Sequence, residues 1–290
     1  MEATEVDAIC SASESRFEEA RRIVREQGSA LVAFSGGVDS ALVLKIALDE
    51  LGPNAIALTA VSPSVPPRER DAAERIAAEM GATHVFVGSS EIDDPNYASN
   101  PIDRCYFCKS ELYDLCRKVA DERGIHAVLD GFNADDVGDF RPGRRAGDEH
   151  RVVSPLLLAG LHKDEIRAWS HRLGLLTWDK PQLACLASRI PHGTRVTAER
   201  LGQVARAEEA LQDLGFRIFR VRYHGDVARL EIGEEELPRL FGDEALRRAA
   251  LEGVKAAGFR FVALDLEPFR SGRLNEGTVP LRMAPLPVLS

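Results

Sequence analysis

Long apolar runs are missing from this 290-residue chain. No stretch approaches the roughly 18 residues that a membrane-spanning helix needs. The opening residues, MEATEVD, are acidic and lack the basic and apolar regions of a secretory signal. A cytoplasmic location without a membrane partner is therefore expected. Cysteine is sparse and odd in number: Cys10, Cys105, Cys108, Cys116 and Cys185 stand at irregular spacing, unlike a secreted disulfide framework. In a reducing compartment they are thiols or metal ligands. Positive charge is in deficit, with 37 Lys and Arg against 46 Asp and Glu for a net charge of −9. That balance disfavours nonspecific attraction to nucleic acid or anionic lipid. No internal repeat is present. The hydrophobic fraction of 44% and charged fraction of 29% are those of a folded globular chain, long enough for one or two domains.

Periodicity gives an α/β order. Residues 14–27 place Phe17, Ala20, Ile23 and Val24 at helical spacing, and Gly28 supplies a stop. ALVAF at 30–34 is short and wholly apolar, as suits a parallel strand covered on both faces, and it leads through two glycines into the helix ALVLKIALDEL. Strands at 55–61, 83–88 and 126–131 alternate with helices near 67–80 and 106–122. Such alternation implies right-handed crossovers and a doubly wound parallel sheet, whose ligands sit beyond the carboxyl ends of the strands. Residues 133–150 read as a loop or lid, and 178–196 as an irregular functional loop after a helix at 162–173. From about 197 a helix, two alternating strands, a helix at 243–257 and a last strand suggest a small α+β domain. The expected division is 14–195, 196–277 and a Pro-rich tail, 278–290, that is disordered or docks elsewhere.

Ser35-Gly36-Gly37-Val38-Asp39-Ser40 closes the first strand and opens a helix. Gly36 and Gly37 let the backbone approach polyphosphate, and the helix start offers unpaired amides and a positive dipole end. Ser35 and Ser40 add hydroxyl donors. Asp39 does not favour bare phosphate, so its task is to hold Mg²⁺ bridging phosphate oxygens. The lysine and spacing of G-x-x-x-x-G-K-[ST] are absent, which excludes that γ-phosphate loop. The loop resembles the SGGxDS signature of the ATP pyrophosphatase (PP-loop) superfamily, and the resemblance implies cleavage of ATP between its α and β phosphates.

Cys105 and Cys108 form a CxxC at a predicted helix start, where the dipole, Arg104 and Lys109 are expected to favour thiolates. The pair alone fits a redox couple, half a zinc site or two ligands of an iron–sulfur cluster. With Cys185 from the irregular ACLASRI segment, three thiols could hold a [4Fe–4S] cluster with one iron open to carry sulfur. Zinc would need a fourth ligand such as Cys116 or His192. Cys116 falls on the helix's buried stripe, and Cys10 precedes the first helix without a partner. At or just beyond the carboxyl end of the strand at 126–131 stand Asp130, Gly131, Asn133, Asp135 and Asp136, near the expected nucleotide, where the carboxylates could coordinate Mg²⁺ or position ribose, or form a solvated acidic turn with Asn133 as a helix cap. Arg220 and Arg222 share one strand face and could form a two-pronged anion site or a solvated charge stripe. Glu208 and Glu231 could be a carboxylate pair there, although sequence alone leaves them on the surface.

FSGGVDS, NPIDRCYFCK, DGFNADD, ACLASRIPHG, FRVRYHG and FRSGRLNE occur in this order. Together they resemble the LarE family of sulfur transferases over about residues 14–277. The resemblance implies that ATP adenylylates a carboxylate of pyridinium-3,5-biscarboxylic acid mononucleotide, after which sulfur displaces AMP to give a thiocarboxylate for a nickel-pincer nucleotide. It implies ATP contacts at Phe34, Ser35, Gly36, Gly37, Val38, Asp39, Ser40, Gly131 and Asn133, with Asp39 and Cys185 catalytic. Arg220 and Arg222 would hold the substrate phosphate near Glu208 and Glu231, in a homo-oligomer with a hexamer as candidate. Some members sacrifice the sulfur of the ACLASRI cysteine; others hold a cluster on three cysteines. Cys105 and Cys108 beside Cys185 favour the cluster form fed by an external sulfide or sulfur donor. The competing reading is tRNA thiolation, which the net charge of −9 and the lack of a basic module weigh against. A noncatalytic nucleotide sensor would leave the three cysteines without a role.

Overall fold

The computed structural model describes residues 1–137, 142–181 and 184–270. The chain divides into two compact units, one of 1–186 with 195–198 and the other of 187–194 with the chain from 199 onward. The expected tail lies outside the described residues.

In the first unit, strands β1 (Ala30–Ala33), β2 (Ala55–Val61), β3 (Thr83–Gly88) and β4 (Ala127–Leu129) form a parallel sheet in the order β3-β2-β1-β4. Its helices are α1 (Ala3–Arg25), α2 (Val38–Leu51), α3 (Pro67–Glu79), α4 (Pro95–Ala98), α5 (Arg104–Glu122), α6 (Pro142–Glu149), α7 (Pro155–Leu158) and α8 (Lys163–Arg172). The wholly apolar β1 is buried on both faces. Ala30, Val32 and Phe34 join a core with α1, α2, α3 and α8, whereas Leu31 and Ala33 join a second core with Tyr113, Cys116 and Ala120 of α5. Period-two alternation on one strand thus feeds both layers of a doubly wound α/β fold. The strand order reverses between β1 and β4, so the ends of these two strands flank the crevice where such sheets bind ligands.

Two sequence expectations are corrected here. The first helix begins at Ala3 rather than near residue 14, and Val6, Cys10 and Ser13 continue its buried stripe. Small polar residues in that stripe hid it, and Cys10 is a core residue. Within 133–150, residues 142–149 form α6 rather than a loop. Gly143, Ala146 and Gly147 are its buried residues, so close approach to α5 replaces a stripe of large apolar side chains.

In the second unit, β5 (Phe219–His224) pairs antiparallel with β6 (Val227–Ile232), which pairs parallel with β7 (Phe261–Leu264). Helices α9 (Ala198–Asp213), α10 (Leu237–Gly242) and α11 (Glu244–Ala256) complete the small α+β unit. Among the described residues no helix is long and apolar enough to cross a membrane.

Trp169 of α8 stacks on Phe17 of α1 with ring centroids 3.8 Å apart, and its indole N–H donates to Ser13 Oγ at 2.9 Å. Phe17→Ala leaves a cavity under this stack. It should cost about 3–5 kcal/mol, read as a lower urea midpoint with an unchanged m-value.

A second buried link joins β2 and β3 to the end of β1. Thr59 Oγ1 donates to Phe34 O at 2.7 Å and therefore accepts from His84 Nε2 at 2.8 Å. His84 Nδ1 is buried without a partner, and burial lowers the imidazole pKa below its ordinary 6.5. Because the unfolded chain takes up this proton first, stability is full above about pH 6.5 and falls as pH drops through the folded value. Urea unfolding at about pH 7.5 and pH 5 should show this loss, and His84→Gln should reduce it.

Candidate functional site

The segment after β1 turns sharply because Gly36 takes φ +69°, and a Cβ there would lie 3.0 Å from the Ala73 Cα of α3. Only glycine meets both demands. Ser40 Oγ accepts from Ser35 N at 3.3 Å and donates to Gly37 O at 3.2 Å, which knits the loop to the first turn of α2. Gly37 is the N-cap and no side chain caps the helix, so the first-turn amides remain available to an anion. Phe34 and Val38 are buried and anchor the loop from either side.

Asp39 sits in that first turn and is held by two groups from elsewhere in the unit. Lys163 Nζ lies 2.7 Å from Asp39 Oδ1 and also meets Oδ2, while Asn133 Nδ2 donates to Oδ1 at 3.1 Å. The Lys163 backbone N–H donates to Asp135 at 2.7 Å, so one lysine links both acidic positions. Asp135 also pairs with His162, which holds its carboxyl below the usual carboxylate range and raises the imidazole in return. Asp136 accepts from Asn133 N at 3.1 Å. Asp130 is buried and accepts from Tyr113 and Ser154, both at 2.6 Å. Gly131 permits the contact between the two strand ends: a Cβ there would meet Ser40 N at 2.9 Å.

Lys180 lies on the other side of the loop. Its ammonium donates to Gly36 O at 3.1 Å and pairs with Glu69 at 2.8 Å. Arg167 fixes its backbone by donating to Trp178 O and Lys180 O at 2.6 and 2.9 Å. Sequence reading missed Lys163 and Lys180. Neither belongs to a local motif with the loop, and both reach it only through the fold.

Cys105 and Cys108 lie in the first turns of α5, and the charge of a Cys185 thiolate is felt at both. The three thiols therefore share one neighbourhood in the first unit, as do Tyr97 and Arg104. The expectation of lowered thiol pKa values fails for the CxxC pair. Burial pushes Cys108 far above its ordinary value and Cys185 adds to the effect; Cys105 keeps an exposed surface, yet lost hydration raises it too. Desolvation outweighs the helix-end field because it acts on the whole thiolate charge. Arg104 is buried, bonded to Asn100 and kept firmly protonated in this group. Cys116 is wholly buried in the core around Tyr113.

The donor chemistry suits a cluster, since bound iron would offset the charge of three soft sulfurs gathered in one neighbourhood. The carboxylate oxygens of Asp39, Asp135 and Asp136 likewise suit Mg²⁺. Among the described residues, however, no group of three or more His, Cys, Asp or Glu is arranged to hold a metal ion.

In the second unit Arg220 and Arg222 are buried rather than a solvated stripe. Arg222 donates to Glu231 at 2.9 and 2.7 Å and to Ser188 O at 2.8 Å. Glu231 is 1% exposed and also meets Arg229 at 3.2 Å, so its surface assignment is corrected. Glu208 is no partner of Glu231. It takes a bidentate contact from buried Arg189 at 2.8 and 2.9 Å and the Val221 N–H at 3.0 Å. Arg220 stands over the Phe269 ring at 4.6 Å; burial, then the charge of Arg189, pushes its pKa down to about 10. A guanidinium so desolvated and so close to other cations favours an anion beside it.

The asparagine synthase family model matches residues 14–173. The chain is 45% identical over 262 residues to an uncharacterized protein of Synechocystis sp., covering 90% of this chain and 97% of the relative. It is 39% identical over 256 residues to the pyridinium-3,5-bisthiocarboxylic acid mononucleotide synthase of Lactiplantibacillus plantarum, covering 87% and 91%. An uncharacterized protein of Methanocaldococcus jannaschii matches at 27% over 241 residues, covering 83% and 90%. The family match takes in the phosphate loop, the CxxC helix and Lys163, and the match to the synthase runs nearly the full length of both chains; this protein belongs to the LarE family of PP-loop proteins.

Proposed function

We propose that this chain is an ATP-dependent sulfur transferase that converts a carboxylate of pyridinium-3,5-biscarboxylic acid mononucleotide to a thiocarboxylate. The observation that carries the reading is the gathering of Cys105, Cys108 and Cys185 in the unit that also holds the uncapped phosphate loop. The similarity to a named synthase of the corresponding bisthiocarboxylate supports the substrate.

A substrate carboxylate oxygen attacks the α-phosphorus of ATP, the bond to the β-phosphate oxygen breaks and pyrophosphate leaves. The loop amides at Gly36–Ser40, with Ser35 and Ser40, bind that leaving group; Phe34, Val38, Gly131 and Asn133 shape the site. Lys163, which pairs with Asp39, lies beside the loop as a cation for the phosphate oxygens. Asp39, Asp135 and Asp136 would hold Mg²⁺, which would offset the charge of the phosphates. A sulfur nucleophile then attacks the acyl carbon and AMP departs, a far better leaving group than oxide. Arg220 and Arg222 hold the substrate's phosphate; Glu231 orients Arg222, and Glu208 lies near them on Arg189.

Cys105, Cys108 and Cys185 would hold a [4Fe–4S] cluster, which would carry sulfur taken from an external sulfide or sulfur donor. Tyr97 and buried Arg104 lie beside these thiols, and Arg104 offers the compensating positive charge. Residues 14–195 serve as the ATP-using domain and 196–277 as the substrate and assembly domain of a cytoplasmic homo-oligomer.

Anaerobically prepared protein should be brown, with iron and labile sulfide each near about four per chain. Cys185→Ala should keep pyrophosphate release but lose thiocarboxylate formation. A colourless protein whose Cys185 loses the mass of H₂S on turnover would replace the cluster by direct donation from that cysteine. No pyrophosphate release with ATP, Mg²⁺ and the dicarboxylate mononucleotide would refute the enzyme reading.

A further inference from the structure

A polar cavity of about 470 Å³ opens at the amino edge of the first unit's sheet, where β1 and β4 begin, and Arg117, His126, Glu149, His150 and Arg151 contribute to its wall. The phosphate loop follows the carboxyl end of β1, so the length of that strand separates the two places. We infer that this cavity is a second binding site, for a small multivalent oxyanion bearing a phosphate group or several carboxylates.

The charges around the cavity argue for an anion. Arg117 spends one nitrogen on His126 O at 3.2 Å, and Arg151 makes no side-chain hydrogen bond or ion pair among the described residues. Glu149 is turned to other partners: its carboxylate accepts from the Tyr106 hydroxyl and faces Arg145 at 3.5 Å. Asp114 lies 3.3 Å from His150 and pairs with that imidazole, not with either arginine. Two guanidinium groups therefore line the cavity, neither ion-paired among the described residues, against the single carboxylate of Glu149 in the same wall.

The backbone adds an independent sign. Arg151 has φ +53°, a left-handed conformation that a long side chain seldom adopts and that persists where surrounding structure imposes it. The hydrogen bonds from Arg151 N to Asp148 O and from Val152 N to Gly147 O close the end of α6 around it. This left-handed turn places Arg151 in the cavity wall together with Arg117 of α5. Two planar forks match an oxyanion that accepts from both, and the volume admits a molecule of metabolite size. No apolar platform lines the site, so charge and hydrogen bonding select the ligand.

The test uses the full chain in about 0.15 M salt and equilibrium dialysis with labelled inorganic phosphate and, separately, citrate. Wild-type protein should bind at least one of these anions at a class of site that weakens about tenfold or more in Arg151→Gln and in Arg117→Gln. Arg151→Gln removes a side chain without a partner, so its melting temperature should match wild type and keep the comparison valid. Preference for phosphate identifies a phosphorylated ligand; preference for citrate identifies a polycarboxylate. Arg220→Gln/Arg222→Gln should leave this class intact, which separates it from the substrate's anion site. Binding unchanged in both cavity variants, or no binding of either anion to wild type at millimolar concentration, would overturn the inference.

Discussion

The whole arrangement depends on how closely the backbone after β1 approaches its neighbours. Gly36 must be left-handed and without a side chain because α3 stands 3.0 Å from where a Cβ would be, and Gly131 must be bare because Ser40 N lies 2.9 Å from its own Cβ position. These two contacts bring the ends of β1 and β4 together at the reversal of strand order. They leave the amides of α2 pointing into the crevice, where an anion gains both hydrogen bonds and the dipole. The acidic groups arrive by the same route: Asp39 is carried on α2, and Asn133, Asp135 and Asp136 follow β4.

Charge placement then divides the molecule into regions of different character. At the phosphate loop, Lys163 and Lys180 are already engaged, one with Asp39 and the other with Gly36 O and Glu69. An anion at the loop must compete with these existing pairs for the two ammonium groups. In the second unit, burial first and then the neighbouring charge of Arg189 lower the pKa of Arg220. Among the thiols, burial and then the charge of Cys185 oppose ionisation at Cys105 and Cys108, an effect that the cations Arg104 and Lys109 offset only in part.

Much of this was legible in the sequence where the signal was local. The apolar run at 30–34, its two glycines and the following helix define both the central strand and the phosphate loop, because covered strands and helix starts have short-range requirements. Cys116 read as core for the same reason. Contacts made by the fold across long sequence distances were not legible: Lys163 reaches Asp39 across 124 positions, and Lys180 reaches Gly36 across 144. Small residues also concealed structure. Gly143, Ala146 and Gly147 give α6 its packing face, and Cys10 and Ser13 lengthen the buried stripe of α1, although none has the bulk that marks a helix in a hydrophobicity pattern. Arg222 and Glu231 looked like solvated charges because strand alternation reveals a shared face but not what covers it.

The central claim is that ATP activates a substrate carboxylate by transfer of its adenylyl group. Isotope transfer tests this directly. With the pyridinium dicarboxylate mononucleotide labelled with ¹⁸O in its carboxyl groups, attack on the α-phosphorus followed by sulfur attack at carbon must leave one labelled oxygen in the phosphate of AMP. Mass spectrometry of that AMP should show the label alongside an equal amount of thiocarboxylate. Unlabelled AMP, or ADP as the nucleotide product, would contradict the account.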